Sequence, residues 1–142
     1  HVIVCGYGRN GKQACEQLKS GSEKFVAIES NPELVTKMRE DDSILFIEGD
    51  ATTDEVLIQA GIDQAKALIT ALPSDAANVF VVLTARDRNP KLKIISRASE
   101  DGSDSDQAQF GPVRPCRRTI SRRRKQPLEH LHLIGSVCVV GN

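Results

Sequence analysis

The stretch HVIVCGYGRNGKQACEQL, residues 1–18, restricts the fold more than any other part of the chain. Val2 to Cys5 form an apolar run of the length expected for a strand buried on both faces. Gly6, Gly8 and Gly11 follow at G-x-G-x-x-G spacing, and Ala14 and Leu18 then fall on one face of a helix. Strand, glycines and helix in direct succession is the context in which that spacing carries meaning. Gly6 permits the tight turn, Gly8 lets the backbone approach a pyrophosphate, and Gly11 lets the helix pack against the strand. The free N–H groups and the dipole at the helix start favour bound phosphate. The same spacing also suits a glycine-rich turn that holds no ligand.

The rest of the first hundred residues repeats the alternation. KFVAIE (24–29), ILFIEGD (44–50), KALITAL (66–72) and KLKIISR (91–97) read as strands. Between them, Gly21 ends the first helix, Ser30-Asn31-Pro32 opens the second with a capping side chain followed by a proline near the first turn, and Thr52 or Thr53 caps a third that runs through Val56 and Leu57 to Gly61. Ser74 opens a fourth helix over residues 75–86. The pattern β-α-β-α-β-α-β-α-β with short loops predicts an α/β fold, a Rossmann-like parallel sheet with helices on both faces. A 142-residue chain with 39% hydrophobic but only 4% aromatic residues suits such an aliphatic core in one domain.

Two acids end strands where a nucleotide would lie. Glu29 closes the second strand and can accept from both hydroxyls of an adenosine ribose, an arrangement that repels a 2′-phosphate. Asp50, in EGDAT, closes the third and either accepts from an adenine amine or caps the turn. The apparatus for chemistry is not evident. His1 is the one histidine of residues 1–105, and no Ser-His-Asp, Tyr-x-x-x-Lys or Cys-His arrangement accompanies it. No catalytic residue is therefore assigned, and a bound nucleotide is read as a signal rather than a reactant. The four cysteines, Cys5, Cys15, Cys116 and Cys138, form no C-x-x-C pair, which points to a reducing compartment and no metal site. No apolar run approaches the ~20 residues of a membrane span. The chain opens on His1 rather than Met and reads as a piece of a longer protein.

The fourth helix carries Val79, Phe80, Val81, Val82 and Leu83 in succession. A helix apolar around most of its girth is covered on more than one side, here by the sheet and by either a partner subunit or more of the same domain.

Together, HVIVCGYGRNG, VAIESNPE, FIEGDATTDEVLIQAGI, AKALITALPSDAANVFVVLTAR and KLKIISRA resemble the nucleotide-binding lobe of the RCK family, regulators of potassium conductance, also called TrkA-N. The likeness covers residues 1–105 and is nearest to the cytoplasmic domains that follow the pore of prokaryotic potassium channels. It implies a Rossmann-like fold, homodimers assembled into a gating ring, and NAD(H), ATP, ADP or AMP as a regulatory ligand. It implies as partner a channel pore or a Trk-type membrane subunit, and a cytoplasmic position at the inner face of the membrane, with His1 just after the linker from the last membrane helix. By position it assigns Gly6, Tyr7, Gly8, Arg9, Asn10 and Gly11 to the phosphate loop. Glu29 and Ser30 fall at the ribose, and Asp50, Ala51 and Thr52 at the adenine. Leu72 and Pro73 fall at the crevice wall, and Arg97 faces phosphate.

After Ser105 the resemblance stops. Family members continue with a helix, a glycine-containing turn and a sixth strand. Here SEDGSDSD (99–106) reads as a linker or disordered stretch, and residues 106–142 form a basic, atypical tail, frameshifted or disordered, in place of the last helix-strand unit. The chain has zero net charge, but residues 1–105 are net acidic and the tail net basic. LHLIGSVCVV (131–140) reads as a strand or simply an apolar end. Two other functions stand beside potassium regulation. One is a fragment of an NAD-dependent oxidoreductase lacking its substrate domain. The other is a tail that binds nucleic acid or an acidic surface through Arg122 to Lys125; with Phe110 its only aromatic, stacking is poorly served, and no nucleic-acid partner is assigned.

Overall fold

The computed structural model describes residues 1–97 and the strand Val137–Val140. The expected linker, the basic run, Cys116, His130 and His132 lie outside the described residues, as do the side chains of Arg97 and of residues 137–140.

Five parallel strands form the body of one sheet: β1 (Val2–Cys5), β2 (Phe25–Glu29), β3 (Phe46–Glu48), β4 (Ala67–Thr70) and β5 (Lys93–Arg97). Four helices connect them: α1 (Arg9–Ser20), α2 (Pro32–Arg39), α3 (Asp54–Gln59) and α4 (Asp75–Arg88). A 3₁₀ turn, Ile62–Gln64, which the sequence pattern did not signal, follows α3. A last strand, β6 (Val137–Val140), completes the order β3-β2-β1-β4-β5-β6.

β1 is buried along its whole length, as strands covered on both faces are. Its side chains alternate between two cores. Ile3 and Cys5 join Ile28, Leu57, Ile62, Leu68, Val81 and Ile94 beneath α3 and α4. Val2 and Val4 join Ala14, Cys15, Leu18, Ala27, Met38 and Ile69 beneath α1 and α2. Helices on both faces of a parallel sheet is thus the architecture the alternation predicted.

Four details depart from the sequence reading. β6 is a strand, but it pairs antiparallel to β5, with Arg97 opposite Val137, so the sheet is not wholly parallel. β3 keeps only three residues, flanked by Leu45, whose carbonyl accepts from Ala27 N–H at 3.0 Å, and Gly49, whose N–H donates to Glu29 O at 2.9 Å. Gly21 does terminate α1, but with φ −82° it is not the left-handed residue. That conformation falls on Ser22, at φ 55°, where Ser22 N–H donates to Lys19 O at 3.0 Å and Glu23 N–H to Leu18 O at 2.9 Å, a Schellman ending. Thr53 sits at the N-cap of α3 without capping by its side chain; its hydroxyl donates to Asp50 O instead.

The caps of α2 and α4 follow the sequence. Asn31 Oδ1 accepts from Glu33 N–H at 2.9 Å, with Pro32 in the first turn. Ser74 Oγ accepts from Ala77 N–H at 3.3 Å. From β1 the chain steps outward through β2 and β3, then returns to the other side of β1 with β4. The order therefore reverses between β1 and β4, and the crevice of such sheets opens there, beyond the carboxyl ends of the strands.

Candidate nucleotide crevice

At that reversal the β1–α1 turn meets the β4–α4 loop. Gly6 N–H donates to Ile28 O and Ala71 N–H to Cys5 O, both at 2.8 Å, which fixes the turn against the neighbouring strands. Gly6 has φ 93°, and a Cβ there would stand 3.0 Å from Ala71 O and 3.2 Å from Leu72 Cδ2. Gly11 is buried, and a Cβ on it would lie 1.8 Å from Gly6 O. These two glycines are demanded by the protein itself. Gly8 is different: a Cβ there meets nothing within 4 Å. Space stands open over Gly8, on the outer side of the turn.

The start of α1 faces this space with unpaired donors. Gly8 is the N-cap residue and supplies no side-chain cap, and α1 has no acid in its first turn. The first ladder bond runs from Lys12 N–H to Gly8 O. Among the described residues, the N–H groups of Arg9, Asn10 and Gly11 have no acceptor. Such a helix start favours an anion through both its donors and its dipole. Beside it a groove of about 450 Å³ runs between α1 and α2, with Tyr7, Gly8 and Arg9 at one end and Lys12, Lys19 and Lys37 along its sides. Glu16 and Asp41 line the groove as well, and Lys19 is paired with Asp41 at 3.4 Å, so Arg9 and Lys12 are the cations nearest the turn.

Glu29 is brought to the turn by the register of β2 on β1, where Cys5 stands opposite Ile28. Its side chain is buried, and its carboxylate accepts from Tyr7 N–H at 2.6 Å, Ser30 N–H at 2.9 Å and Asn31 N–H at 2.8 Å. Asp50 binds its own loop: Oδ1 accepts from Thr52 N–H and from Thr52 Oγ1, both at 2.8 Å. The Thr52 N–H, and then its hydroxyl, hold the Asp50 carboxyl below its ordinary range. Of the two roles expected for Asp50, the turn cap is the one these bonds display.

Other expected site residues divide between the crevice and the core. Gly6, Gly8, Arg9, Asn10 and Gly11 lie on the turn, Leu72 borders it from the loop after β4, and Pro73 follows in that loop. Ser30 offers its N–H to Glu29 rather than to the crevice. The Tyr7 side chain is buried with Ala14, Cys15 and Leu18, so only its backbone belongs to the turn. Ala51 packs into the core beside Leu57 and Ala60. Arg97 ends β5 at the crevice side of the sheet, and its side chain is outside the described residues.

Sequence reasoning missed Asn78. It is fully buried in α4, accepts from Leu72 N–H at 3.1 Å and donates to Leu72 O at 3.0 Å, and so holds the loop that borders the turn. A polar residue in the apolar run NVFVVL was the available signal. The hydroxyl pair Thr70–Ser96, 3.0 Å apart at the ends of β4 and β5, was also missed. Among the described residues, no group of three or more His, Cys, Asp or Glu is placed to hold a metal ion, and no helix is long and apolar enough to cross a membrane. The ring of His1 contacts Ala60 O at 2.8 Å, at the opposite end of β1 from the glycine turn.

A parallel sheet with a glycine turn between β1 and α1 and an acid at the end of β2 is the architecture of a Rossmann-type domain. The chain belongs to the TrkA-N domain family, whose sequence profile matches residues 2–109. It is 47% identical over 102 residues to probable potassium channel protein 2 of Methanocaldococcus jannaschii, an alignment that takes in 70% of this chain and 30% of that protein. The chain thus spans less than a third of that relative's length. Among solved structures, it superposes on the TrkA-N domain of the inner membrane protein ybaL from Escherichia coli with a TM-score of 0.66 and 33% identity, covering 71% of this chain and 74% of that one. The AMP-bound Kef C-terminal domain of Shewanella denitrificans gives 0.62 at 28% identity, covering 68% of this chain and 58% of that one.

Proposed function

We propose that this chain is the cytoplasmic nucleotide-sensing lobe of a potassium channel or potassium uptake system, with NAD(H) or an adenine nucleotide as a regulatory ligand. The observation that carries the reading is the start of α1: unpaired N–H groups at Arg9, Asn10 and Gly11 beneath open space at Gly8. A side chain at Gly8 would occupy the place where a phosphate comes down on the turn, so the residues fit that group. One relative is a probable potassium channel protein, and a related solved domain holds AMP. Both favour the regulatory reading over an oxidoreductase fragment.

In this reading the α1 start holds phosphate, with Arg9 and Lys12 adding charge. Glu29 stands at the ribose, the 50–52 loop at the adenine, and Leu72 and Pro73 form the opposite wall. A bound nucleotide supplies negative charge that the turn amides and cations neutralise; the chain itself carries out no bond chemistry. The copy-to-copy surface is the outer face of α4, where Val79, Phe80 and Leu83 are 47%, 53% and 46% exposed while Val81 and Ala85 face the sheet. Two such faces burying each other would form the homodimer, and linked pairs the gating ring. A nucleotide then shifts gating only if it binds two arrangements of the pair unequally.

The test is calorimetry of the 142-residue chain with AMP, ADP, ATP, NAD, NADH and NADP, beside the Gly8→Ala variant. Binding of an adenine nucleotide or NAD(H) that exceeds NADP and weakens in Gly8→Ala supports the reading. A folded chain that binds none of the six leaves the crevice a structural feature and ends it.

A further inference from the structure

Glu29 was expected to accept both hydroxyls of an adenosine ribose. The structure gives its carboxylate prior work. A carboxylate offers about four lone-pair positions, and backbone N–H groups of Tyr7, Ser30 and Asn31 already occupy three of them. Oε1 takes Ser30 and Asn31; Oε2 takes Tyr7. One position remains, on Oε2. The bond to Tyr7 is buried. Surrendering a buried amide to make room for a second hydroxyl exchanges one hydrogen bond for another and adds the cost of an unpaired N–H.

The three amides belong to two different loops. Tyr7 lies between Gly6 and Gly8 in the phosphate turn. Asn31 caps α2 through its own side chain. Glu29 therefore holds the entry of the turn and the start of α2 in one fixed relation, and the direction of the Gly8 amide depends on where Tyr7 is held. This rests on the nucleotide reading above.

We infer that Glu29 is first a positioning residue for the phosphate turn, keeping its three backbone bonds when a nucleotide is bound, and that it reads one ribose hydroxyl rather than two. Its substitution weakens binding through the turn even for a ligand that lacks the hydroxyl it reads.

The experiment pairs amide hydrogen exchange, followed by NMR on the labelled chain, with calorimetry using AMP, 2′-deoxy-AMP and 3′-deoxy-AMP. The wild type and Glu29→Gln are compared. In Glu29→Gln either the side-chain NH₂ faces a backbone N–H, or an acceptor is lost. The Tyr7 amide is expected to be protected in the free wild type and to stay protected with AMP. One deoxy analogue should bind within about twofold of AMP and the other about tenfold more weakly. Glu29→Gln should expose the Tyr7 amide without ligand and weaken all three nucleotides. The inference is overturned if both analogues lose about tenfold and Tyr7 loses protection on binding, for then Glu29 exchanges its amide for the ribose. It is equally overturned if neither analogue is weakened, or if Tyr7 stays protected in Glu29→Gln. Should Glu29→Gln not fold, Glu29→Asp, with the carboxylate drawn back by one methylene, carries the same comparison. If no nucleotide binds the wild type, the functional reading fails, while Tyr7 exchange still decides the positioning role.

Discussion

Asn78 pairs with both backbone groups of a single residue, Leu72: its Oδ1 accepts the Leu72 N–H at 3.1 Å and its Nδ2 donates to the Leu72 carbonyl at 3.0 Å. One buried side chain on α4 thus replaces the ladder partners that Leu72 gives up where the chain leaves β4.

Removing it should be costly. Asn78→Ala leaves a donor and an acceptor unpaired and should destabilise the chain by about 2–3 kcal/mol, read from urea unfolding. A loss under about 0.5 kcal/mol, the range of a neutral surface change, would show that water replaces the carboxamide without penalty.

Gly8 and Gly11 should respond oppositely to the same added methyl. Gly11→Ala drives a Cβ onto Gly6 O and should lose about 3 kcal/mol or more. Gly8→Ala meets open space and should stay within about 1 kcal/mol of the wild type, while its nucleotide affinity falls at least about tenfold. Equal stability losses, measured by thermal unfolding, would contradict the different surroundings of the two glycines.

Ser22 is the left-handed residue of the α1 ending. Relieving that conformation is worth about 1–2 kcal/mol, against about 0.5–1 kcal/mol of extra chain entropy for glycine. Ser22→Gly should therefore raise stability by about 0.5 kcal/mol. No gain, or a loss, in the denaturation midpoint would mean the serine side chain contributes something the strain argument omits.

Stability should respond to pH through groups whose burial or bonding sets them apart. Burial pushes the thiols of Cys5 and Cys15 up to about 12. Unfolded thiols ionise near ~8.5, so the unfolded state loses protons first as pH rises. The stabilisation is whole below ~8.5 and declines from there toward about 12. Asp50 has the opposite sign: its carboxyl lies low in the fold, so its contribution is present above ~3.9 and is lost as pH falls further. Unfolding midpoints between pH 7 and pH 10, in the wild type and in Cys5→Ala/Cys15→Ala, separate the thiol part. The double variant should lose much of the alkaline decline. Cys5 and Cys15 should also resist alkylation in the native chain at pH 8, as peptide mapping would show.

Much of this was legible in the sequence where local chemistry decides. Val2–Cys5 was readable to the residue because an apolar run ending in glycine has few other fates. Asn31-Pro32 announced α2 because the cap and the proline act within four residues of one another. What escaped depends on contacts between distant segments. The direction of β6 is set by pairing with β5 across the whole tail, which no local pattern encodes. The same holds in the crevice. That Glu29 stands beside the turn follows from its strand, but that its Oε2 already accepts a turn amide follows from Tyr7, twenty-two positions earlier. Asn78 looked like an interruption of an apolar helix until Leu72 supplied its purpose.

The antiparallel return of β6 limits how the sheet could grow. Among the described residues, one edge is β3, three residues long, and the other is β6, with four. Edges that short present few backbone groups for an incoming strand. In the proposed homodimer, contact between copies should therefore be made by side chains on a helix, not by sheet extension. Such a joint can be tightened or loosened in small steps by tilting one helix against another, which a shared ladder of backbone bonds would not permit.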